Sequence, residues 1–522
     1  MSSKKLSETD TALGYANNEI LKMGVSFVFL VSVLGYVLMQ MQGIPGGFTL
    51  AISAAIGGYM AMNIGANDVA NNVGPAVGSK ALTLIGAIAI AAIFEAAGAL
   101  IAGGDVVSTI KKGIIDPSAI NDSTTFIALM LAALFAGALW LNLATFVGAP
   151  VSTTHSIVGG VLGAGIAAGG FAIANWGQMS AIAASWVISP VLGGLIAAGF
   201  QLYIKRNIMH SENMLQAAKS YVPVLLAIMA WSFSTYLALK GLKKIFPMSF
   251  VDASILGAVI AIFVYFLSRK AVDKASKKNK NNRDGVNNLF TIPLIFAAAL
   301  LSFAHGANDV ANAVGPLAAI ADAIQNHGVS AKAAIPLWVM IVGAVGIALG
   351  LLLFGPKLIR TVGTEITDID KSRAFCVALA ASITVIIASQ LGLPVSSTHI
   401  AVGGVFGVGF LREYLRFNSA VKLHKIAEQH EGKERQRLEK FLEDFQNADL
   451  KEMEDLIKEA KAKKEKLGIN KKDRKRLKSV YKEQLVKRSA IKKIVTAWIV
   501  TVPCSAALAA SIFFLIRPWI SV

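Results

Sequence analysis

The sequence predicts an all-α polytopic membrane protein that also carries a charged, soluble, helical insertion. The 522-residue chain is 55% hydrophobic and only 16% charged, whereas soluble chains carry about 25% charged residues. Apolar runs of about twenty residues recur along it, and each is long enough to cross a hydrocarbon core of about 30 Å. One strongly charged segment near the carboxyl end contains no such run, so it is expected to lie outside the membrane.

The apolar runs predict about twelve membrane segments, some of them re-entrant. The first run follows a polar lead without a clear small-residue cleavage site, so we expect a retained helix rather than a signal peptide. Cys376 and Cys504 both lie in apolar runs and are expected to be buried small side chains. The clearest runs are Met23–Met41, Ala81–Gly103, Thr125–Val147, Met179–Tyr203, Tyr221–Leu239, Ser254–Ser268, Pro336–Phe354, Arg373–Leu391 and Ile494–Ile516.

The charged segment 412–493 contains 25 Lys/Arg against 15 Asp/Glu, within a chain of net charge +18. Neighbouring Glu and Lys residues favour exposed helix, and basic residues beside membrane spans favour the cytoplasmic side. A solvated insertion and a regulatory or partner-binding domain both remain open, and attraction to anionic membrane lipid is expected. Nucleic acid is not an expected partner, because the basic residues lack interleaved aromatic side chains.

An internal repeat organises the chain. The heptapeptide GANDVAN occurs at 65–71 and again at 306–312, and a second motif, PVS[ST]TH, follows at 150–155 and 394–399. The loops that follow the second motif in the two halves differ in charge, which favours halves of opposite orientation. Inverted repeats of this kind are typical of secondary transporters, whose sites lie between the repeats near the membrane midplane.

The repeat predicts six regions, in which two transport repeats flank a spacer with two membrane helices and a basic loop. The regions are a polar lead and first helix at 1–47, the first repeat at 48–203, the spacer at 204–288, the second repeat at 289–411, the basic cytoplasmic insertion at 412–493, and a last helix completing the second repeat at 494–522.

The PVS[ST]TH motifs predict an anion site. Proline suits the first turn of a helix, and the free N–H groups and dipole of a helix start attract anions. The hydroxyls add donors without charge, and a hairpin that dips into the membrane is tolerated where it lines a cavity. The alternative is that these hydroxyls bond within their own helices. The hydroxyls are those of Ser152, Thr153, Thr154, Ser396, Ser397 and Thr398.

The GANDVAN motifs predict a cation site. Asp68 and Asp309 interrupt apolar sequence, and acids buried in a membrane are functional candidates by default. Amide oxygens beside them complete an all-oxygen set suited to a hard cation, while the amide N–H₂ groups can also reach an anion. A helix cap at a membrane edge is the alternative. The asparagines are Asn67, Asn71, Asn308 and Asn312.

Three further titratable residues lie close to these motifs. Glu95 interrupts an apolar run and is either a proton or cation group or the partner of a buried donor. His155 and His399 end the two hydroxyl motifs and either carry a proton or act as neutral hydrogen-bond partners. The sequence contains no nucleotide loop, metal cluster or catalytic triad, so we expect neither an enzyme nor a bound cofactor.

At these two duplicated motifs, and at FEAAGALIAGG (94–104), the sequence resembles the inorganic phosphate transporter (PiT) family. The resemblance implies a cell-membrane carrier, often a homodimer, that moves inorganic phosphate with sodium ions as co-transported ligands. It assigns phosphate binding to the six hydroxyl residues with Asn71 and Asn312. It assigns sodium binding to Asn67, Asp68, Asn308 and Asp309, and a role in coupling to Glu95.

The resemblance leaves two alternatives within the family, a proton-coupled phosphate carrier and a sulfate permease. A channel or receptor that acts through the basic segment is a third alternative of a different class. That alternative predicts a continuous pore rather than an enclosed site between the halves.

Overall fold

The structure is a computed structural model of the chain. All long secondary-structure elements of the residues that it describes are helices. It describes residues 2–117, 120, 122–147, 151–241, 246–326, 335–365, 369–427, 436, 440–441, 444, 456 and 488–520. The helices are α1 (Ser2–Gln40), α2 (Gly47–Asn67), α3 (Val69–Gly78), α4 (Leu84–Ala102), α5 (Gly104–Lys112), α6 (Ser123–Val147), α7 (Thr153–Gly169), α8 (Trp176–Ile204), α9 (Met214–Lys240), α10 (Phe250–Ser276), α11 (Arg283–Leu289), α12 (Thr291–Asp309), α13 (Ala311–Gln325), α14 (Leu337–Glu365), α15 (Lys371–Gln390), α16 (Ser397–Ala427) and α17 (Arg488–Ile516).

Eleven spans in the described part of the chain are long and apolar enough to cross a membrane. Two of them, Gly47–Gly78 and Thr291–Gln325, contain the GANDVAN motifs and join α2 to α3 and α12 to α13. These two spans are not among the clearest apolar runs, because polar residues interrupt them. The predicted all-α polytopic fold is confirmed, and the number of spans is close to the predicted twelve.

Some helices form the core of the bundle, and others form its outer face. Helices α12, α13 and α15 are buried along almost their whole length, whereas α10 exposes a row of large apolar side chains that includes Ile255, Val259 and Phe263. Exposed apolar surface of this extent marks contact with lipid or another protein. Helix α10 therefore lies on the outside of the bundle.

The last helix of each half packs on the hydroxyl-motif helix of the other half. Helix α8 packs against α16, and α17 packs against α7. Glycines allow this close approach: a Cβ on Gly407 would lie 2.0 Å from the Gly194 carbonyl oxygen, and one on Gly163 would lie 2.2 Å from that of Ala506. Small residues at such contacts let membrane helices approach at backbone distance. The two halves therefore make matching, exchanged contacts, while their inverted orientation stays a prediction.

Most of the predicted insertion lies outside the described residues. Helix α16 continues to Ala427, across the expected start of the insertion at 412, and α17 begins at Arg488. The middle of the segment is described only at residues 436, 440–441, 444 and 456, each of them helical. The six-region division stays a prediction.

Candidate functional site

Each GANDVAN motif lies where one helix gives way to the next. Helix α2 ends at Asn67 and α3 begins at Val69, and α12 ends at Asp309 shortly before α13 begins. The backbone at Asp68 keeps helical dihedral angles (φ −80°, ψ −35°), so the interruption is a local change of hydrogen bonding rather than an unwound stretch. It brings the side chains of Asp68 and Asp309 into the protein interior, where they are 1% and 0% exposed.

Asn67 and Asn308 connect these breaks to Val151 and Val395, which precede the hydroxyl-motif helices α7 and α16 and are called the hairpin tips below. The backbone N–H of Val151 donates to Asn67 Oδ1 over 3.4 Å, and that of Val395 donates to Asn308 Oδ1 over 3.3 Å. The amide groups donate in turn to the hydroxyls of α6 and α15, at 3.0 Å from Asn67 to Thr145 and 2.9 Å from Asn308 to Ser389. The two asparagines therefore position matching hairpin tips in the two halves.

The hydroxyl motifs begin α7 and α16 with serine caps. Ser152 Oγ accepts from the backbone N–H of His155 at 3.1 Å, and Ser396 Oγ accepts from that of His399 at 3.2 Å. The prediction that proline opens these helices is wrong at Pro394, which precedes the Ser396 cap; Pro150 lies outside the described residues. A serine hydroxyl satisfies a free N–H at a helix start. The first helical residue is therefore the one directly after each serine.

The second asparagine of each GANDVAN reaches the hydroxyl motif of the other half. Asn71 Nδ2 donates to Thr398 Oγ1 at 2.9 Å, and Asn312 Nδ2 donates to Thr153 Oγ1 at 3.1 Å and to Thr154 Oγ1 at 3.2 Å. The Thr154 hydroxyl also donates to the Val395 carbonyl at 2.9 Å, which joins the two hairpin tips. The two halves thus meet at a single buried polar site.

Thr153 connects both carboxylates of this site. Its Oγ1 lies 2.8 Å from Asp68 Oδ2 and 3.1 Å from Asp309 Oδ2, and Thr398 Oγ1 lies 3.4 Å from Asp68 Oδ1. Ligand atoms of Asp68, Asp309 and His305 all lie within 4.8 Å of one another. Two buried carboxylates at this separation repel each other unless a cation or a proton joins them.

Several polar atoms of the site have no hydrogen-bond partner among the residues that the structure describes. They include the Ser397 hydroxyl and two acceptors, Asp309 Oδ1 and Asn312 Oδ1, each fully covered. A buried polar group without a partner costs roughly 1–3 kcal/mol, so such groups are uncommon without a ligand or water. The site therefore offers both a donor and acceptors to a bound species.

Sequence reasoning missed His305, which links Glu95 to the site. Its Nδ1 lies 2.6 Å from Glu95 Oε2, and its Nε2 lies 3.1 Å from Asp309 Oδ2 at an angle unsuited to a hydrogen bond. Asn72 Nδ2 donates to Glu95 Oε1 at 2.8 Å. Glu95 thus contacts a buried donor, while its role in coupling stays a prediction. The available signal was His305 directly before the second GANDVAN, where the first copy has Ile64.

His155 and His399 lie behind the hydroxyls and pack on each other, with ring centroids 4.5 Å apart. Trp186 packs 3.9 Å from the His155 ring, and Trp498 stacks 3.6 Å from the His399 ring. The imidazoles therefore form an aromatic cluster that joins α7, α8, α16 and α17.

These features define a membrane transport protein: a bundle of apolar helices encloses a polar site where two related halves meet. The chain belongs to the phosphate transporter family, whose model matches residues 64–509. Members of that family are transporters and not enzymes, so the expectation of a non-enzymatic membrane protein is confirmed.

Three similar proteins illustrate the relationship. A Helicobacter pylori protein named "Putative phosphate permease" is 52% identical over 98% of both chains. The chloroplastic inorganic phosphate transporter 2-1 of Arabidopsis thaliana is 39% identical over 68% of this chain and 65% of its own. A solved structure, "The sodium-dependent phosphate transporter", matches 90% of this chain and 99% of its own with a TM-score of 0.73 and 32% identity.

Proposed function

We propose that this protein is a sodium-coupled symporter of inorganic phosphate that works by alternating access. The observation that carries the proposal is the position of Thr153, whose hydroxyl contacts a carboxylate from each half at 2.8 Å and 3.1 Å. One residue of the expected anion site therefore belongs to the expected cation site as well. The sodium-dependent phosphate transporter of similar fold supports the same function.

Phosphate would bind where the starts of α7 and α16 meet. Helix starts attract anions through their free N–H groups and dipoles, and the hydroxyls supply further donors. The Ser397 hydroxyl has no partner among the described residues, and the amides of Asn71 and Asn312 donate to threonines at the starts of the same two helices. The proposed phosphate ligands are Ser152, Thr153, Thr154, Ser396, Ser397, Thr398, Asn71 and Asn312.

Sodium would bind at the two aspartates. Asp68 and Asp309 would supply carboxylate oxygens, and hard cations prefer oxygen ligands. The amide oxygens of Asn67 and Asn308, which accept the N–H groups of Val151 and Val395, would add their second lone pairs. A cation there removes the repulsion between the carboxylates and lowers the cost of burying phosphate beside them. Each ion thus favours the binding of the other, which is the requirement for symport.

Alternating access would follow from movement of one half against the other around this site. The exchanged contacts of α8 with α16 and of α17 with α7 fit a repeat interface, and we propose that the repeats are inverted. We also propose that the basic segment 412–493 lies in the cytoplasm and that the protein forms a homodimer in the cell membrane, with sodium as a transported ligand and no bound cofactor.

A proton-coupled phosphate carrier is the second candidate, and the Glu95–His305–Asp309 chain favours it. His305 lies 2.6 Å from Glu95 and 3.1 Å from Asp309, so these two acids and one imidazole can together hold a proton. In this variant the proton would replace sodium beside Asp309, and the phosphate ligands would stay the same.

The test is uptake of radiolabelled phosphate into proteoliposomes under an inward sodium gradient or an inward proton gradient, with excess sulfate as competitor. We expect uptake that requires sodium and ignores sulfate. Asp68→Asn should lose the sodium response, whereas Asp252→Asn, which changes an exposed carboxylate on α10, should keep it. Uptake driven by protons alone supports the second candidate, and transport of sulfate without phosphate contradicts both.

A further inference from the structure

A cavity lies beside the first GANDVAN motif, between α1, α2, α6 and the end of α14. Its volume is about 660 Å³. Its lining includes Ala66, which directly precedes Asn67 on α2, and Thr145 on α6. Thr145 Oγ1 accepts from Asn67 Nδ2 at 3.0 Å, and Asp68 follows Asn67 in the chain. The cavity therefore extends to one wall of the proposed cation site.

Polar side chains from α2 and α6 form a row along this cavity. Tyr59, Asn63 and Asn67 follow one another at intervals of four residues, so they lie on one face of α2. On α6, Asn142 Nδ2 donates to Asn63 Oδ1 over 3.4 Å, and Thr145 lies one helical turn further on. Tyr59, Asn63, Asn142 and Thr145 all line the cavity. The polar row thus leads from the cavity to Asn67.

The second half has apolar residues at the matching positions of this row. In the register of the repeated motifs, Thr145 is matched by Ser389, whose hydroxyl accepts from Asn308 at 2.9 Å. The hydroxyl that holds the asparagine is therefore common to both halves, whereas the rest of the row belongs to the first half alone. The apolar residues that take the places of Tyr59, Asn63 and Asn142 are Leu300, Ala304 and Ile386, which are 5%, 0% and 8% exposed.

The distribution of polarity in the cavity is suited to water. Polar side chains in membrane segments face a partner or a water-filled cavity, and Asn142 is exposed on α6. Charged residues also line the cavity: Glu19 pairs with Lys22 at 2.7 Å, and the Glu19 side chain is 59% exposed. The cavity therefore has an exposed charged part and a neutral polar wall that reaches Asn67.

We propose that this cavity is the aqueous route by which a cation reaches Asp68, and that Asn63 and Asn142 position water and the passing cation along it. The proposal rests on the sodium-coupled function proposed above. The carboxylate of Asp68 attracts a cation and repels phosphate at the inner end of the route. Neutral amide and hydroxyl groups replace part of the water around a cation without trapping it, as conduction requires. The two related halves thus differ in role, and cation entry belongs to the first.

The first measurement tests whether water fills the cavity. Asn142→Cys is made in full-length protein that carries Cys376→Ala and Cys504→Ala, and the protein is treated in nanodiscs with a cationic methanethiosulfonate reagent. Because the thiolate is the reacting form, a cysteine in water reacts and a cysteine in lipid does not. Ile255→Cys is the matched control, since Ile255 is 59% exposed on the outer face of α10.

We expect Asn142→Cys to be labelled about a hundredfold faster than Ile255→Cys, because only a hydrated thiol ionises. Equally slow labelling of the two cysteines would mean that lipid fills the cavity and would overturn the proposal. This measurement needs no transport, so its result is independent of the coupling ion.

The second measurement separates a route from a binding site. Asn142→Ile and Asn63→Ala each introduce the residue of the second half. Both should lower the initial rate of sodium-driven phosphate uptake about tenfold, since the barrier to cation passage rises, while the Kd for radioactive sodium at equilibrium stays at its wild-type value. Asn207→Ala, which changes an amide outside the cavity, should keep both the rate and the Kd.

Two results of this measurement would overturn the proposal. One is a wild-type uptake rate in both cavity variants, and the other is a raised Kd for sodium with an unchanged rate at saturating sodium. If Asn142→Ile does not fold, Asn63→Ala provides the same comparison. Wild-type protein without sodium-driven uptake would contradict the proposed function instead, and the labelling of Asn142→Cys would still decide whether the route holds water.

Discussion

The amide of Asn71 donates a hydrogen bond of 2.9 Å to the hydroxyl of Thr398, across 327 residues of chain. This bond joins the first copy of GANDVAN to the second hydroxyl motif. Asn312 makes the corresponding contacts to Thr153 and Thr154. Each half of the molecule therefore completes its polar site with groups from the other half, so neither half holds a complete site alone.

Removal of the Asn71 amide should weaken phosphate binding more than it weakens the fold. Asn71→Ala leaves the Thr398 hydroxyl without its donor, and a hydrogen bond of this kind contributes about 1 kcal/mol. We expect the apparent KM for phosphate to rise about fivefold in proteoliposome uptake. Asn207→Ala is the control, because Asn207 donates to the Tyr203 carbonyl outside the site. An unchanged KM in Asn71→Ala would exclude Asn71 from the phosphate site.

The Thr153 hydroxyl should set the response to sodium. Thr153→Val keeps the shape of the side chain but removes the hydroxyl that contacts both carboxylates and can donate to one of them at a time, whereas Thr153→Ser keeps that hydroxyl. Because such bonds to charged groups are worth roughly 1.5–3 kcal/mol, the sodium concentration for half-maximal uptake should rise at least tenfold in the valine variant. The serine variant should stay close to wild type. Equal sodium responses in the two variants would contradict the shared role of Thr153.

Glu95 and His305 should act as one unit. Glu95→Gln and His305→Gln each leave one member of a buried pair without its partner, and both should lower the initial rate of phosphate uptake at least tenfold. Residues in direct contact have interaction energies of about 0.5–3 kcal/mol. The double variant should therefore lose less than the product of the two single losses. Losses that multiply would show that the two residues act independently.

A second buried ion pair should matter for stability. Lys111 Nζ lies 2.8 Å from Asp322 Oδ2, and both side chains are almost fully covered. Lys111→Met removes the buried ammonium group from Asp322, a loss of roughly 3–5 kcal/mol, and should lower the thermal unfolding midpoint by several degrees. Lys111→Met/Asp322→Leu should recover most of it.

The exposed pair of Lys277 with Asp273 is the control for this ion pair. Surface pairs contribute about 0–1 kcal/mol, so Lys277→Met should leave the unfolding midpoint nearly unchanged. A midpoint for Lys111→Met equal to that of Lys277→Met would contradict a structural role for the buried pair.

The contact between α8 and α16 should not tolerate a methyl group. A Cβ on Gly407 of α16 would lie 2.0 Å from the carbonyl oxygen of Gly194 on α8. A Cβ on Gly199, which also lies on α8, meets nothing within 4 Å. Gly407→Ala should lower the unfolding midpoint. Gly199→Ala should leave it unchanged or raise it slightly, because alanine favours helix by roughly 0.5–1 kcal/mol. The reverse order of the two midpoints would show that the helices are not in contact at Gly407.

Much of the fold was predictable because its signals are local. Apolar runs such as Thr125–Val147 became helices of nearly the same bounds, in this case Ser123–Val147. The spans that contain Asp68 and Asp309 were not among the clearest apolar runs, since their polar residues lower the local hydropathy. We predicted that proline begins the hydroxyl-motif helices, whereas the serine two residues later caps them. The predicted roles of the site residues and the inverted orientation of the halves stay predictions.

By itself, the sequence determined the all-α membrane fold, the duplication and the residue types of the site, because hydropathy and motif identity are properties of short segments. Only the tertiary structure decided which residues meet. It brought Asp68 and Asp309 to the hydroxyl of Thr153, inserted His305 between Glu95 and Asp309, and exchanged α8 and α17 between the halves. Thr153 and Thr398 contact Asp68 across 85 and 330 positions of the chain. Contacts of this kind depend on how whole helices pack, which no local pattern of residues encodes.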